Sequence, residues 1–291
     1  MFNGLPANIE DKVQANDLFV QKRIYQALKL LNLLPINQNE VGLFTNYLHG
    51  SVEVSNPMYT NNGIHFNEIK FGKGQTVGGQ TLPLGFMYPA NTRDKQRGQY
   101  ESNLQTFLNT AVVKIADFYE EKYINALISG GRASTSTLKA WTSASNILEN
   151  ENIIDDEMRY DTEDNPTGYT PNTVLVSRKD KLKITTALQK EDYTPNYEYI
   201  ASHKLNDGEM VFFDKLNPGA SIEKYADPEY NILQSLADDG ITMTEDGEVL
   251  PKGFINLKEA ETNKPQVVEY YIWAESNLNI KNSNGFLTIT N

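Results

Sequence analysis

One segment limits the fold more than any other. Between Tyr100 and Ser129, apolar residues recur at Leu104, Leu108, Ala111, Val112, Ile115, Tyr119, Tyr123 and Leu127. That is the three- and four-residue spacing of one helix face. Phe107, Ala116, Ile124 and Ile128 widen the stripe, and Lys114, Asp117, Glu120, Glu121 and Lys122 lie opposite. The pattern predicts a helix of about eight turns, about 45 Å long. Gly130-Gly131 supplies its stop. A stripe so long and wide must be covered, so the remaining segments are read for what covers it.

The chain before this helix divides in two. It is polar to Ala15, then shows Leu18, Ile24, Leu28, Leu31 and Leu34 at helical spacing. A helix is expected over residues 17–34, ended by Pro35. Its apolar content calls for burial against the fold or against a neighbouring subunit. Residues 51–54 and 64–71 read as strands, with turn signals at Asn61-Asn62-Gly63, Gly72-Lys73-Gly74 and Gly78-Gly79. Residues 81–88 read as a further strand, interrupted by Pro83. Together they form a long hairpin with too few apolar residues to stand alone. It must lie on something, and another subunit is the natural surface.

After the helix, a second one is expected near residues 136–149, around Leu138, Trp141, Ile147 and Leu148. Residues 153–171 are acidic and read as a loop. Residues 172–177 form a buried-type strand, and Ser177 caps a helix from Arg178 to about Leu188. Short strands follow at residues 209–213, 241–244 and 253–257, with a helix near 226–237. Residues 267–275 are rich in β-branched and aromatic side chains and read as a strong strand. Two more extended pieces follow, at 278–281 and 285–290. The class is α+β, with parts that extend from the core.

Chemistry is scarce. The 291 residues contain no cysteine, which excludes disulfides, thiolate metal sites and cysteine nucleophiles. The three histidines, His49, His65 and His203, sit in separate regions without ligand spacing. Gly72-Lys73-Gly74-Gln75-Thr76 lacks the remainder of a phosphate loop. No Gly-x-Ser-x-Gly elbow is present. No catalytic group, cofactor or metal is expected. A formal charge of −12 argues against nucleic-acid binding through net field, though a container wall tolerates DNA nearby. No apolar run approaches the ~20 residues of a membrane span, and no signal peptide is visible at the start. A chain of this size with extended appendages and no catalytic constellation points to assembly.

Three stretches carry a resemblance: Thr81-Leu82-Pro83-Leu84-Gly85-Phe86-Met87-Tyr88 leading into the long helix, Asn172-Thr173-Val174-Leu175-Val176-Ser177-Arg178-Lys179-Asp180, and Tyr270-Tyr271-Ile272-Trp273-Ala274-Glu275 through Phe286-Leu287-Thr288. In this order they resemble the major capsid proteins of tailed double-stranded DNA viruses, the Hong Kong 97-type capsid fold. The resemblance implies an N-terminal arm at residues 1–49 and an E-loop at 50–91. A P-domain follows at 92–190, with a spine helix at about 100–129. An A-domain at 191–266 and C-terminal strands at 267–291 returning to the P-domain complete the expected order.

The resemblance further implies self-assembly into pentamers and hexamers, forming an icosahedral or prolate shell around viral DNA bound without sequence specificity. Portal, scaffolding and decoration proteins are expected partners, and no membrane is. The expected location is the virion capsid, assembled in the host cytoplasm. Encapsulins, which enclose a cargo enzyme, are the alternative within the same fold. Expected contacts between subunits are Lys70, Phe71, Lys73 and Met87 of the loop, with Arg93 and Arg97 of the basic segment before the helix. Some relatives join an E-loop lysine to an asparagine with a glutamate's help. Lys70 and Lys73 lie in the loop, but no glutamate aligns, and no cross-link is expected.

Overall fold

The computed structural model describes residues 9–38, 43–48, 52–53, 70–71, 75–160, 166–227, 229–230, 253–263 and 266–290. The helices are α1 (Ile9–Ala27), α2 (Arg93–Gln96), α3 (Tyr100–Gly130), α4 (Ala144–Arg159) and α5 (Arg178–Lys190). The first strands are β1 (Ile36–Gln38), β2 (Leu43–Leu48), β3 (Val52–Glu53), β4 (Lys70–Phe71), β5 (Gln75–Gln80) and β6 (Leu82–Asn91). Then come β7 (Arg132–Ala133), β8 (Thr173–Ser177), β9 (Glu198–Ser202), β10 (Met210–Phe213) and β11 (Ala220–Tyr225). The last are β12 (Ile255–Glu261), β13 (Val267–Ile280) and β14 (Phe286–Ile289). The chain forms two compact units. One gathers Met1–Phe44, Gln80–Tyr123 and Ile222–Asn277, the other Thr45–Gly79, Ile124–Ser221 and Leu278–Asn291.

In the first unit, a mixed sheet runs β1-β11-β13-β12, with β6 also on β13. Along β13 every second side chain, Tyr270, Ile272, Ala274 and Ser276, is buried, while Tyr271, Trp273 and Glu275 are half-exposed. That is the period-two signature of a sheet with one covered face. The helix α3 turns Leu104, Leu108, Val112, Ile115, Tyr119 and Tyr123 inward. The helix α1 buries Val20 and Ile24 and packs against β12.

One side chain fastens α1 to the sheet. Buried Gln21 accepts from the backbone N–H groups of Phe254 and Ile255, at 2.7 and 3.1 Å, and donates to the Ile255 carbonyl at 2.5 Å. Its amide pairs with the backbone as a neighbouring strand would. Burial within its own unit therefore accounts for the arm helix's apolar face. The helix also ends earlier than the expected Leu34. Leu28 is extended, and a 3-10 turn covers Lys29–Asn32.

The second unit carries another mixed sheet, ordered β7-β14-β10-β8-β9. All five residues of β8 are buried, as the sequence predicts for a central strand. Its core joins Ile147, Ile154 and Met158 of α4 to Val174 and Val176 of β8, Ile184 and Leu188 of α5, and Phe212 of β10. The expected acidic loop is helical as far as Arg159. Ser143 caps α4 by accepting from the Asn146 N–H. Ala144, Ile147, Glu151, Ile154 and Met158 then keep one face buried through the acidic run. The charges of Asp155, Asp156 and Glu157 occupy positions this face does not use.

Paired pieces of the expected hairpin are present. β2 pairs β5, and in β3–β4 Val52 faces Phe71 and Glu53 faces Lys70. Gly78-Gly79, expected as a turn, lies inside β5. The hairpin's tip, the strand at 241–244 and most of the helix near 226–237 lie outside the described residues. The two C-terminal pieces expected at 267–275 and 278–281 are one continuous strand of 14 residues.

β6 is an edge strand whose described partner is β13 alone. Pro83 faces Glu275 and Pro89 faces Glu269 in its ladder. Six residues apart, the two prolines share one lateral side of the strand, where a missing N–H costs no ladder bond. They also deny donors to any strand adding at that edge. Gly85 serves closeness: a Cβ there would lie 2.5 Å from the Ile272 carbonyl and the Trp273 Cβ. Replacing both prolines with threonine is expected to leave the fold intact and raise aggregation severalfold, read by light scattering at equal concentration. Unchanged scattering would show that the prolines do not guard the edge.

Candidate functional site

The spine helix meets the sheet of its unit through tyrosines. A buried tyrosine brings apolar surface together with a hydroxyl that needs a partner. Tyr119 donates to the Ala274 carbonyl at 3.0 Å. Tyr123 and the Ser276 hydroxyl lie 2.5 Å apart, and Ser276 donates to the Glu223 carbonyl at 2.7 Å. Ser276 has one proton, so Tyr123 is the donor of its pair. Tyr100 and Tyr270 meet hydroxyl to hydroxyl at 2.7 Å, ring edge to face.

The register has a simple origin. Four helical residues rise about 6 Å and two strand residues about 6.8 Å, so positions 119 and 123 match 274 and 276. Burial raises the pKa of Tyr119, Tyr123 and Tyr100 above the ordinary value of 10.0. Lys122 donates to the Ser276 carbonyl at 3.4 Å, and burial lowers its pKa.

In the second unit, buried polar groups tie helices to strands. Glu151 of α4 accepts from the Tyr199 hydroxyl at 2.8 Å and the Asn196 N–H at 3.2 Å, while Tyr197 donates to its carbonyl at 2.7 Å. Burial raises the Glu151 pKa against the pull of those donors. Ser177 accepts from the Asp180 N–H at 3.1 Å and sits 2.8 Å from the Asp180 carboxylate. Lys183 and the Gly208 N–H complete that carboxylate's partners, at 2.8 and 2.6 Å. These hydrogen bonds hold its pKa below the usual carboxylate range, against the upward pull of burial. Ser177 is thus a helix cap lying between the Asp180 and Asp207 carboxylates. No group of three or more metal-ligating side chains occurs among the described residues. None of the described helices is long and apolar enough to cross a membrane.

The expected contact residues fall in separate places. Lys70 and Phe71 form β4, and Lys73 lies outside the described residues. Met87 is 49% exposed on β6, between the two prolines. Arg93 opens α2, its N–H donating to the Asn91 side chain at 2.9 Å, and is exposed. Arg97 is exposed beside Asp94, at 3.9 Å. The structure also exposes the apolar side chains of Phe86, Val113, Phe118, Leu182 and Leu216. Leu182 sits among lysines, a pattern that was available from sequence. Leu216 is raised by a turn in which Asp214 accepts from the Leu216 and Asn217 N–H groups, which only the structure reveals.

No known family pattern matches the sequence, and no curated protein matches it. Solved structures do. The virus-like particle from Pyrococcus furiosus is 13% identical and superposes with a TM-score of 0.61, covering 96% of this chain and 98% of its own. The capsid of cyanophage P-SCSP1u is 8% identical with a TM-score of 0.54, over 88% and 86% of the two chains. The SrpI encapsulin from Synechococcus elongatus PCC 7942 is 9% identical with a TM-score of 0.51, over 90% and 86%. The fold is shared across almost the whole length while side chains have diverged.

Two outcomes test the tyrosine contacts. Tyr119→Phe should cost about 1 kcal/mol, and Ser276→Ala, which strands both the Tyr123 hydroxyl and the Glu223 carbonyl, about 1–3 kcal/mol, measured by urea unfolding of the unassembled chain. Equal stability of the Ser276 variant would show that these hydrogen bonds contribute nothing. The folded state also holds the tyrosine protons to higher pH than the unfolded chain does. The contribution of these tyrosines to stability should therefore be level below pH 10 and fall as pH rises above it. The fall should be shallower in Tyr119→Phe.

Proposed function

From the Hong Kong 97-type capsid fold of this chain we propose that it is a shell subunit, the major capsid protein of a tailed double-stranded DNA virus. Copies assemble into pentamers and hexamers that close into a shell around packaged DNA. The single observation that carries the reading is the end-to-end match to the P. furiosus virus-like particle, 96% of one chain on 98% of the other. The phage capsid match supports it. The role is geometric and needs no catalytic group.

In this reading the P-domain, residues 92–190, with the spine helix and its tyrosines, is the rigid plate of the subunit. The A-domain, residues 191–266, surrounds the local symmetry axes, and the E-loop, residues 50–91, lies across a neighbour. Many modest contacts repeated by symmetry make the container stable. The subunit belongs to the virion capsid and is assembled in the host cytoplasm. Portal, scaffolding and decoration proteins are its further partners. The DNA inside slides against an acidic wall.

A second reading has its own observation, the SrpI encapsulin match: a shell around a protein cargo. The contents decide. Particles from the native source should hold nuclease-protected double-stranded DNA, whereas a single enclosed protein would favour the second reading.

Negative-stain microscopy of the purified chain should show closed shells or capsomers, and a compact monomer at every concentration would overturn the shell reading. Deleting residues 63–79 should leave a folded subunit that fails to close shells. Normal particles from that deletion would refute the role given to the loop.

A further inference from the structure

Two neighbouring helices of the second unit carry mirrored charge. The helix α4 has five acids (Glu149, Glu151, Asp155, Asp156, Glu157) and one base, Arg159. The helix α5 has five bases (Arg178, Lys179, Lys181, Lys183, Lys190) and one acid, Asp180. In a chain of net charge −12, so basic a helix stands apart.

The two helices do not satisfy each other. They meet through apolar residues of the shared core, including Ile147, Ile154, Ile184 and Leu188. Among the described residues, none of the ion pairs joins α4 to α5. Lys139 takes Glu149, Arg159 takes Asp155, Lys179 takes Asp207, and Lys183 takes Asp180 within its own helix. Arg178 and Lys181 enter none of these pairs, nor does Asp156.

Each outer face is continuous. Glu149, Asn152 and Asp156 recur at three and four residues on α4, all exposed. On α5, exposed Arg178 precedes Leu182 by one turn, and half-exposed Lys181 adjoins it. Leu182 is 69% exposed, an apolar side chain with Arg178, Lys181 and Lys183 close to it along the helix. A desolvated anchor surrounded by charges is the composition of a contact centre with a polar rim. The surface that fits it is acidic, and the outer face of α4 is one. Because the two faces are different, the contact is head-to-tail, the kind that closes rings when repeated.

We propose that the basic outer face of α5, centred on Leu182, docks on the acidic outer face of α4 in a second copy of this chain. The inference rests on the shell reading above and names one of its contacts. Opposite potentials would orient incoming subunits, and Leu182 would be buried on docking.

The full chain tests it by charge exchange. Arg178→Glu with Lys181→Glu should fold normally by circular dichroism, yet form at least tenfold fewer particles by sedimentation and microscopy. Adding Glu149→Lys and Asp156→Lys to that chain should restore assembly. Wild-type yields from the first variant would overturn the proposal. So would a folded fourfold variant that does not assemble.

A second measurement needs no charge change. In a cysteine-free chain, particles mixed from Leu182→Cys and Asn152→Cys subunits should give covalent dimers with a short bismaleimide, and either variant alone should not. Absence of dimers from the mixture would overturn the contact. A wild-type chain that never forms particles would instead remove the shell reading itself.

Discussion

The first unit depends on one strand, β13. It takes β12 along one edge and β6 along the other, both antiparallel, from Val268 to Ala274 and from Val267 to Ser276. Its covered face receives the tyrosines of α3. The hydroxyls matter because apolar contact alone is non-directional. A stripe of leucines would allow the helix to slide on the sheet by part of a turn. A tyrosine hydroxyl that must reach one carbonyl or one serine does not, since a buried hydroxyl left unpaired costs about 1–3 kcal/mol. Register between helix and strand is therefore fixed by polar groups placed inside an apolar seam.

The same device recurs. Gln21 fixes α1 on the Phe254–Ile255 backbone, Glu151 ties α4 to Tyr199 and Asn196, and Asp180 ties α5 to Gly208. Each is a buried polar side chain whose partner lies far away in sequence. Buried, satisfied polar contacts narrow a core to one arrangement. The apolar core supplies most of the stability in both units. The polar ties decide which packing is adopted.

Much of the fold could be read in the chain. The period of the stripe from Leu104 to Leu127 gave α3 nearly to the residue, and the apolar run Val174-Leu175-Val176 gave β8. Ser177 was correctly read as the cap of α5. Where reading failed, local composition competed with a longer-range pattern. The acidic run after Ile153 looked like a loop because three charges in a row outweigh two apolar residues four apart. Its helix is set by Ile154 and Met158 packing in a core with Val174, Ile184 and Phe212. Likewise Gly78-Gly79 reads as a turn in isolation and is a strand when paired with β2. Of the expected contacts, Met87, Arg93 and Arg97 are exposed on the stretch leading into α3.

The sequence by itself determined the order of the elements, the faces that must be covered and the absence of cysteine chemistry. It also held the mirrored charges of α4 and α5, since charge count is a property of the chain. Only the tertiary structure decided which strand each tyrosine would meet, that Gln21 would complete a distant backbone, and that α4 and α5 would share an isoleucine-containing core while charges such as Asp156 and Arg178 stay exposed. The reason is physical. Periodicity records which face of an element is buried, because burial is a local preference of each side chain for leaving water. Partner choice depends on distances between segments far apart in the chain, and no local preference encodes those.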